Sequence, residues 1–89
     1  MIEKDVAIVN RLGLHARAAA KLVHLAGGFR SQIRLSLEGQ SVDAKSILGI
    51  LMLGAAQGMT VSIRCEGEDE GEALVAIEEL FACRFEESS

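Results

Sequence analysis

The stretch SQIRLSLEGQSVDA, residues 31–44, limits the possible folds more than any other part of the chain. Ile33, Leu35 and Leu37 alternate with Gln32, Arg34 and Ser36, so a strand here has one apolar and one polar face. The glycine-containing turn LEGQ returns the chain into a short second strand, QSVDA, and the pair reads as a β-hairpin. Strands with one polar face belong to an antiparallel sheet that is solvated on one side and covered on the other. The rest of the chain must supply that cover.

The remaining periodicities indicate how it does so. KDVAIVN alternates as a first strand, with Val6 and Ile8 on one face. NRLGL breaks the pattern and leads into HARAAAKLVHLA, where Ala19, Leu22, Val23 and Ala26 recur at helical spacing as a buried stripe. Alanine, the best helix former, dominates the first turn, and Gly27-Gly28 is expected to stop the helix with a left-handed glycine. KSILGILMLGA reads as a short second helix capped by Ser46. QGMTVSIRCEG alternates again and places Val61, Ile63 and Cys65 together. DEGEALVAIEELFACRF closes the chain as a third helix, with acids in its first turn to complement the dipole. Its apolar stripe is expected to run through Leu74, Ile77, Phe81 and Phe85.

The order β-α-β-β-α-β-α predicts an α+β open-faced sandwich, with a four-stranded antiparallel sheet and three helices on one face. A length of 89 residues suits a single domain spanning 1–89. Only the last few residues are expected to fray.

Composition narrows the function. Trp and Tyr are absent and Phe29, Phe81 and Phe85 are the only aromatics, so the core is aliphatic and a buried aromatic-ligand pocket is not expected. The net charge is −4, with the acid gathered in EGEDEGEALVAIEELFACRFEESS. That balance argues against nucleic acid as the main partner. Arg11, Arg17 and Lys21 form the one local basic group, enough for a small anion or an acidic partner. No apolar run approaches the ~20 residues of a membrane span, and no charged leader precedes a signal-like core; the chain reads as cytoplasmic. Cys65 and Cys83 lack CxxC spacing and sit in apolar patterns. They read as small core hydrophobes kept reduced, with a disulfide as the alternative. Nothing completes a metal site.

His15 lies where NRLGL meets the first helix, and Gly13 lets the chain turn sharply just before it. The N–H groups of residues 16–18 have no helical acceptor, and the dipole adds positive charge there. Such a helix start is an anion site, and Arg17 adds a cation in the same turn. An imidazole so placed has the parts to accept a phosphoryl group, while the helix end and Arg17 neutralise the charge that arrives. The bland alternative is a weak N-cap residue with no role. His24, nine residues on, is about half a rotation round and roughly 13 Å away, so it shares neither metal nor phosphate with His15.

In the second helix, Ile47, Leu48, Leu51 and Met52 fall to one side, while Ile50 and Leu53 suit the core. The first set is either an interaction patch or an oversized core. Ser46 is either a plain helix cap or a phosphorylation site that would place a dianion beside that patch.

Taken together, GLHARAAAKLV and KSILGILMLGA resemble HPr, the histidine-containing phosphocarrier of the bacterial phosphoenolpyruvate-dependent phosphotransferase system. The resemblance covers the whole chain in length, element order and acidic final helix. It implies that His15 is the phosphoacceptor, taking the group on Nδ1 from phosphorylated enzyme I and passing it to IIA domains. It implies that Arg17, with Ala16 beside it, contacts the phosphoryl group. Ser46 matches the serine phosphorylated by an HPr kinase/phosphorylase in bacteria that have one. The implied docking surface comprises Arg17, Ala20, Ile47, Leu48, Gly49, Leu51 and Met52. Such a protein is a carrier rather than an enzyme, needs no cofactor and, engaging two partners in turn at one face, is monomeric.

Many family members have proline where this chain has Ala18. Alanine keeps the helix and leaves one more N–H for an anion. That alanine and LGILMLGAA also resemble the nitrogen-related branch of the family. The alternative this implies is a regulatory binding module, controlled by its phosphorylation state rather than feeding sugar uptake.

Overall fold

Alternation in the sequence becomes four strands: β1 (Ile2–Ala7), β2 (Gln32–Leu37), β3 (Gln40–Asp43) and β4 (Thr60–Glu66). They interleave with the helices α1 (Ala16–Ala26), α2 (Ile47–Met52) and α3 (Glu70–Ala82), and a 3-10 turn over Arg84–Glu86 follows. These elements come from a computed structural model that describes residues 1–86; the expected fraying of the last residues lies outside the described residues.

The sheet order is β1-β4-β2-β3, and every pairing is antiparallel. Register aligns Ile33 with Cys65 and Leu35 with Ile63. The inward residues of β2 and β4 therefore form one continuous apolar surface, joined by Leu22, Ile50, Ile77 and Phe81 from the three helices. The opposite face is polar, with Arg64 paired to Glu3 at 3.1 Å and Arg34 Nε donating to Ser41 Oγ at 2.9 Å. This is the open-faced sandwich that the alternation predicts. The β2–β3 turn is a two-residue loop, with Glu38 at φ 48° and Gly39 at φ 85°. Positive φ at both positions matches the twist of the flanking strands.

Several local expectations are corrected. β1 ends at Ala7, and Ile8 is buried just beyond it, where its N–H donates to the Met59 carbonyl and its own carbonyl accepts from Gly58. Leu37 and Val23 pack against the core as expected but are only half-buried, and Ala18 joins the core on α1. The end of α1 holds no left-handed glycine. Gly27 is right-handed (φ −64°, ψ −17°), and the N–H groups of Gly27, Gly28 and Phe29 close on the Val23, Leu25 and Ala26 carbonyls. The chain tightens out of the helix rather than reversing from it.

At the other end, α3 stops at Ala82 before reaching Phe85, and Ala73 rather than Leu74 begins its buried stripe. Arg84, Phe85 and Glu86 take φ of 57°, 54° and 63°. This left-handed step turns Phe85 back into the core, edge-on to Phe81 with ring centroids 4.9 Å apart. Such backbone costs a non-glycine residue ~1–2 kcal/mol, and it persists here because Phe85 is fully buried and Lys21 Nζ donates to its carbonyl at 2.6 Å.

Asp69 sits at the N-cap of α3 but does not cap it. Its carboxylate accepts from the Ser31 hydroxyl (2.5 Å) and from the N–H groups of Arg30 (2.8 Å) and Ser31 (2.9 Å). These bonds, the Ser31 hydroxyl first, lower its pKa to about 2 and tie α3 to the turn after α1. Both cysteines are free. Cys65 lies in the core, where burial pushes its thiol up, whereas Cys83 is exposed, contrary to its apolar pattern.

Candidate functional site

The segment from Ile8 to His15 is held against the loop between α2 and β4. Besides the two bonds of Ile8, Leu14 N–H donates to the Ala55 carbonyl at 3.0 Å, and Gln57 Nε2 reaches the Val9 carbonyl at 3.1 Å. Within the segment, Asn10 to Gly13 forms a closed turn: Gly13 N–H donates to the Asn10 carbonyl (3.2 Å), and Asn10 Nδ2 donates to the Gly13 carbonyl (2.8 Å). Gly13 has φ 63°, and a Cβ there would lie 2.6 Å from the Ala55 oxygen and 2.9 Å from Ala56 Cα. Both the dihedral and the close approach demand glycine.

Leu14 is buried and anchors the turn, and His15 follows as the N-cap of α1 with extended backbone (φ −78°, ψ 179°). Its side chain does not cap the helix. The first intrahelical bond runs from Ala19 N–H to the His15 carbonyl at 2.8 Å, so the N–H groups of Ala16, Arg17 and Ala18 lie ahead of the helix's own acceptors. Ala16 and Arg17 are exposed, Ala18 is buried, and the first turn carries no acid to cancel the positive end of the dipole. The imidazole is half-buried. Its Nδ1 lies 3.2 Å from the Gly13 carbonyl, while Nε2 is shut off from solvent.

Not all of the predicted basic group belongs here. Arg11 and Arg17 are exposed, but Lys21 is committed to the Phe85 carbonyl and lies 4.0 Å from Glu86. His24 is exposed towards the far end of α1, beside a shallow depression that it shares with Lys21, Leu25 and Leu80.

The split of α2 is as expected. Ile50 and Leu53 are in the core, while Ile47, Leu48, Leu51 and Met52 are 39–69% exposed. Ala20 is exposed on α1, which packs against α2. Ser46 caps α2, its Oγ accepting from Gly49 N–H at 3.1 Å. A Cβ on Gly49 would meet Val42 Cβ at 3.3 Å and Ser46 Cβ at 3.4 Å, so glycine lets α2 settle onto β3. Two features went unread in the sequence. Leu12, on the loop before His15, is 58% exposed, and Asn10 is fully buried. An asparagine opening a glycine turn is a legible signal; its burial is not.

Among the described residues no three His, Cys, Asp or Glu side chains converge as a metal site, and no helix is long and apolar enough to cross a membrane.

An open-faced sandwich of this order, with a histidine seated at the start of its first helix, is the architecture of the histidine phosphocarriers. A family model described as the PTS HPr component phosphorylation site matches residues 2–82. The chain is 53% identical to the phosphocarrier protein HPr of Cupriavidus necator over 98% of both chains. It superposes on a crystal structure of HPr from Thermoanaerobacter tengcongensis with a TM-score of 0.96 at 44% identity, covering both chains completely. A dimeric HPr structure from the same organism aligns over 98% of this chain and 100% of that one, with a TM-score of 0.79 and 45% identity. The chain belongs to the HPr family, the phosphocarriers of the phosphotransferase system.

Proposed function

We propose that Nδ1 of His15 takes a phosphoryl group from phosphorylated enzyme I and hands it to IIA domains. The observation that carries this reading is the helix start: His15 occupies the N-cap without capping, beside the exposed Arg17 and Ala16. The burial of Nε2 supports Nδ1 as the nitrogen a partner can reach. The Nδ1 lone pair forms the bond to phosphorus, and the Arg17 guanidinium with the N–H groups of the first turn meets the incoming charge. The chain needs no acid–base pair of its own, because it is itself the substrate of the enzymes on either side. It acts as one domain over residues 1–89, a cytoplasmic monomer without a cofactor.

Partners dock on Ile47, Leu48, Leu51 and Met52, with Arg17, Ala20 and Gly49 at the margin. An apolar face beside the reactive ring lets one surface serve donor and acceptor in turn. A second, regulatory reading is favoured by the placement of Ser46 next to Ile47 and Leu48. A phosphate added there by an HPr kinase/phosphorylase would set a dianion at the edge of the docking face and change which partners bind. In that reading the chain is a module of the nitrogen-related branch, governed by its phosphorylation state.

Incubation with enzyme I and phosphoenolpyruvate should add one acid-labile phosphoryl group, and His15→Ala should take up none. Equal labelling of the two proteins would refute the assignment. For the regulatory reading, Ser46→Asp should weaken partner binding in titration; unchanged binding would count against it.

A further inference from the structure

Asn10 and Ser31 are the two fully buried polar residues among those described. Asn10 Nδ2 donates to the Gly13 carbonyl at 2.8 Å, and the same oxygen lies 3.2 Å from Nδ1 of His15. Gly13 is buried, and its peptide cannot swing towards water. Its φ of 63°, its approach to Ala55 and the Leu14–Ala55 bond all hold it in place. One fixed, buried oxygen therefore has two donors, and one of them is the ring nitrogen assigned to the phosphoryl group.

The share held by His15 lasts only while Nδ1 carries a proton. For phosphoryl transfer Nδ1 must present its lone pair, so the proton it shares with the Gly13 carbonyl passes to water and the ring carries its proton on Nε2 instead. The Nδ1 lone pair then forms the N–P bond, while the bond from phosphorus to the donor atom breaks and its electron pair stays with the donor. From that point His15 has no hydrogen to offer the Gly13 carbonyl. A buried acceptor that loses its last donor is costly. Asn10 prevents that loss.

We propose that Asn10 is a positioning residue for phosphoryl acceptance. It keeps the Gly13 carbonyl bonded when Nδ1 lets go, and it weakens the hold of that carbonyl on the Nδ1 proton. The proposal rests on His15 as the phosphoacceptor. Asn10 acts through Gly13, whose carbonyl it shares with Nδ1 of His15. In its absence the Nδ1–H of His15 is the remaining local donor, so the carbonyl holds the proton on the nitrogen that must lose it.

The test is Asn10→Ala, read in two ways. Nitrogen-15 shifts of the His15 ring should move towards the Nδ1-protonated form, with the His24 ring unchanged as an internal control. In the presence of enzyme I, the equilibrium between phosphoenolpyruvate and the phosphorylated chain should shift about 10-fold against phosphorylation, the scale set by one buried acceptor losing a donor. Ring shifts identical to the unmodified protein would overturn the proposal even if labelling slowed, because a merely structural defect would do the same.

If Asn10→Ala does not fold, the unmodified chain still decides. The side-chain amide signals of Asn10 should move when His15 is phosphorylated, and unmoved signals would refute the link. Failure of the His15 assignment is separable, since it would appear as an unmodified chain that takes no label on His15. The ring-shift comparison needs no phosphorylation and would still settle whether Asn10 acts on His15.

Discussion

Alanine at Gly13 should be among the most damaging single changes in the chain, and the structure separates its cost into parts. A φ of 63° places an L-residue in left-handed backbone, at ~1–2 kcal/mol. The new methyl would also sit 2.6 Å from the Ala55 oxygen and 2.9 Å from Ala56 Cα, both of them backbone atoms that cannot rotate away. Relief requires the two loops to part, which breaks the Leu14–Ala55 hydrogen bond and strands a buried group at a further ~1–3 kcal/mol. The sum is about 3 kcal/mol, or roughly 12–24 °C of melting temperature for a domain of this size. Gly39→Ala is the matched control, because its φ is 85° but nothing lies within 4 Å of the new methyl. It should lose only the dihedral part, about 1 kcal/mol. Thermal and urea melts of the two variants measure the difference. If Gly13→Ala melted within about 5 °C of Gly39→Ala, the steric half of the reasoning would be wrong. The displaced peptide also carries the carbonyl that faces His15, so Gly13→Ala should slow phosphoryl acceptance and Gly39→Ala should not.

Acid should expose the Asp69 clamp. With a folded-state pKa of about 2 against an ordinary 3.8, its contribution is fully present above pH 4 and is lost as pH falls through about 2. The gap in melting temperature between the unmodified protein and Asp69→Asn should therefore narrow across that window; a gap that stayed constant with pH would contradict the assignment. Phe85→Ala should cost about 3–5 kcal/mol in urea denaturation, since the ring is fully buried against Phe81; a loss under ~1 kcal/mol would mean that the left-handed step holds itself. Leu48→Ser with Met52→Ser should leave stability within about 0.5 kcal/mol, because both side chains face solvent. The same pair should raise the enzyme I concentration needed for half-maximal phosphorylation, and an unchanged value would remove those residues from the docking face.

Some features were legible in the sequence because their cause is local. Ile33 and Leu35, and Val61, Ile63 and Cys65, alternate with polar neighbours, and period 2 specifies a half-buried strand wherever the partner strands lie. Ile50 and Leu53 separate from Leu48 and Met52 by helical geometry alone. The placement of His15 and Arg17 at a helix start was readable because the break at Gly13 and the alanine run after it are local signals. What escaped depends on distant chain. Phe85 continues the helical spacing of Phe81, but the vacancy it fills is reached only by a left-handed turn stabilised by Lys21, sixty-four residues earlier. Lys21 departs from the expected basic group for the same reason. Gly27 was read as a reversal because glycine permits one, yet the Phe29 amide could close the last turn without it. Cys83 has apolar neighbours in sequence but falls at the outer end of α3. Asn10 went unread, because only the packing of the loop before β4 makes it an interior residue.

The sheet order has a consequence for the chain as it is being made. β1 hydrogen-bonds to β4 alone, and β4 begins at Thr60. At ~5–20 residues per second, the first strand waits roughly 3–12 s on the ribosome for its only neighbour to be synthesised. During that interval the β2–β3 hairpin can close although β2 too waits for β4, while β1 has a bare edge on each side. Its exposed Glu3, Lys4 and Asp5 put charge along that edge, and charge disfavours edge-to-edge pairing. In the finished molecule the same three side chains pair with Arg64, Glu78 and Ser62, all of them made after β1.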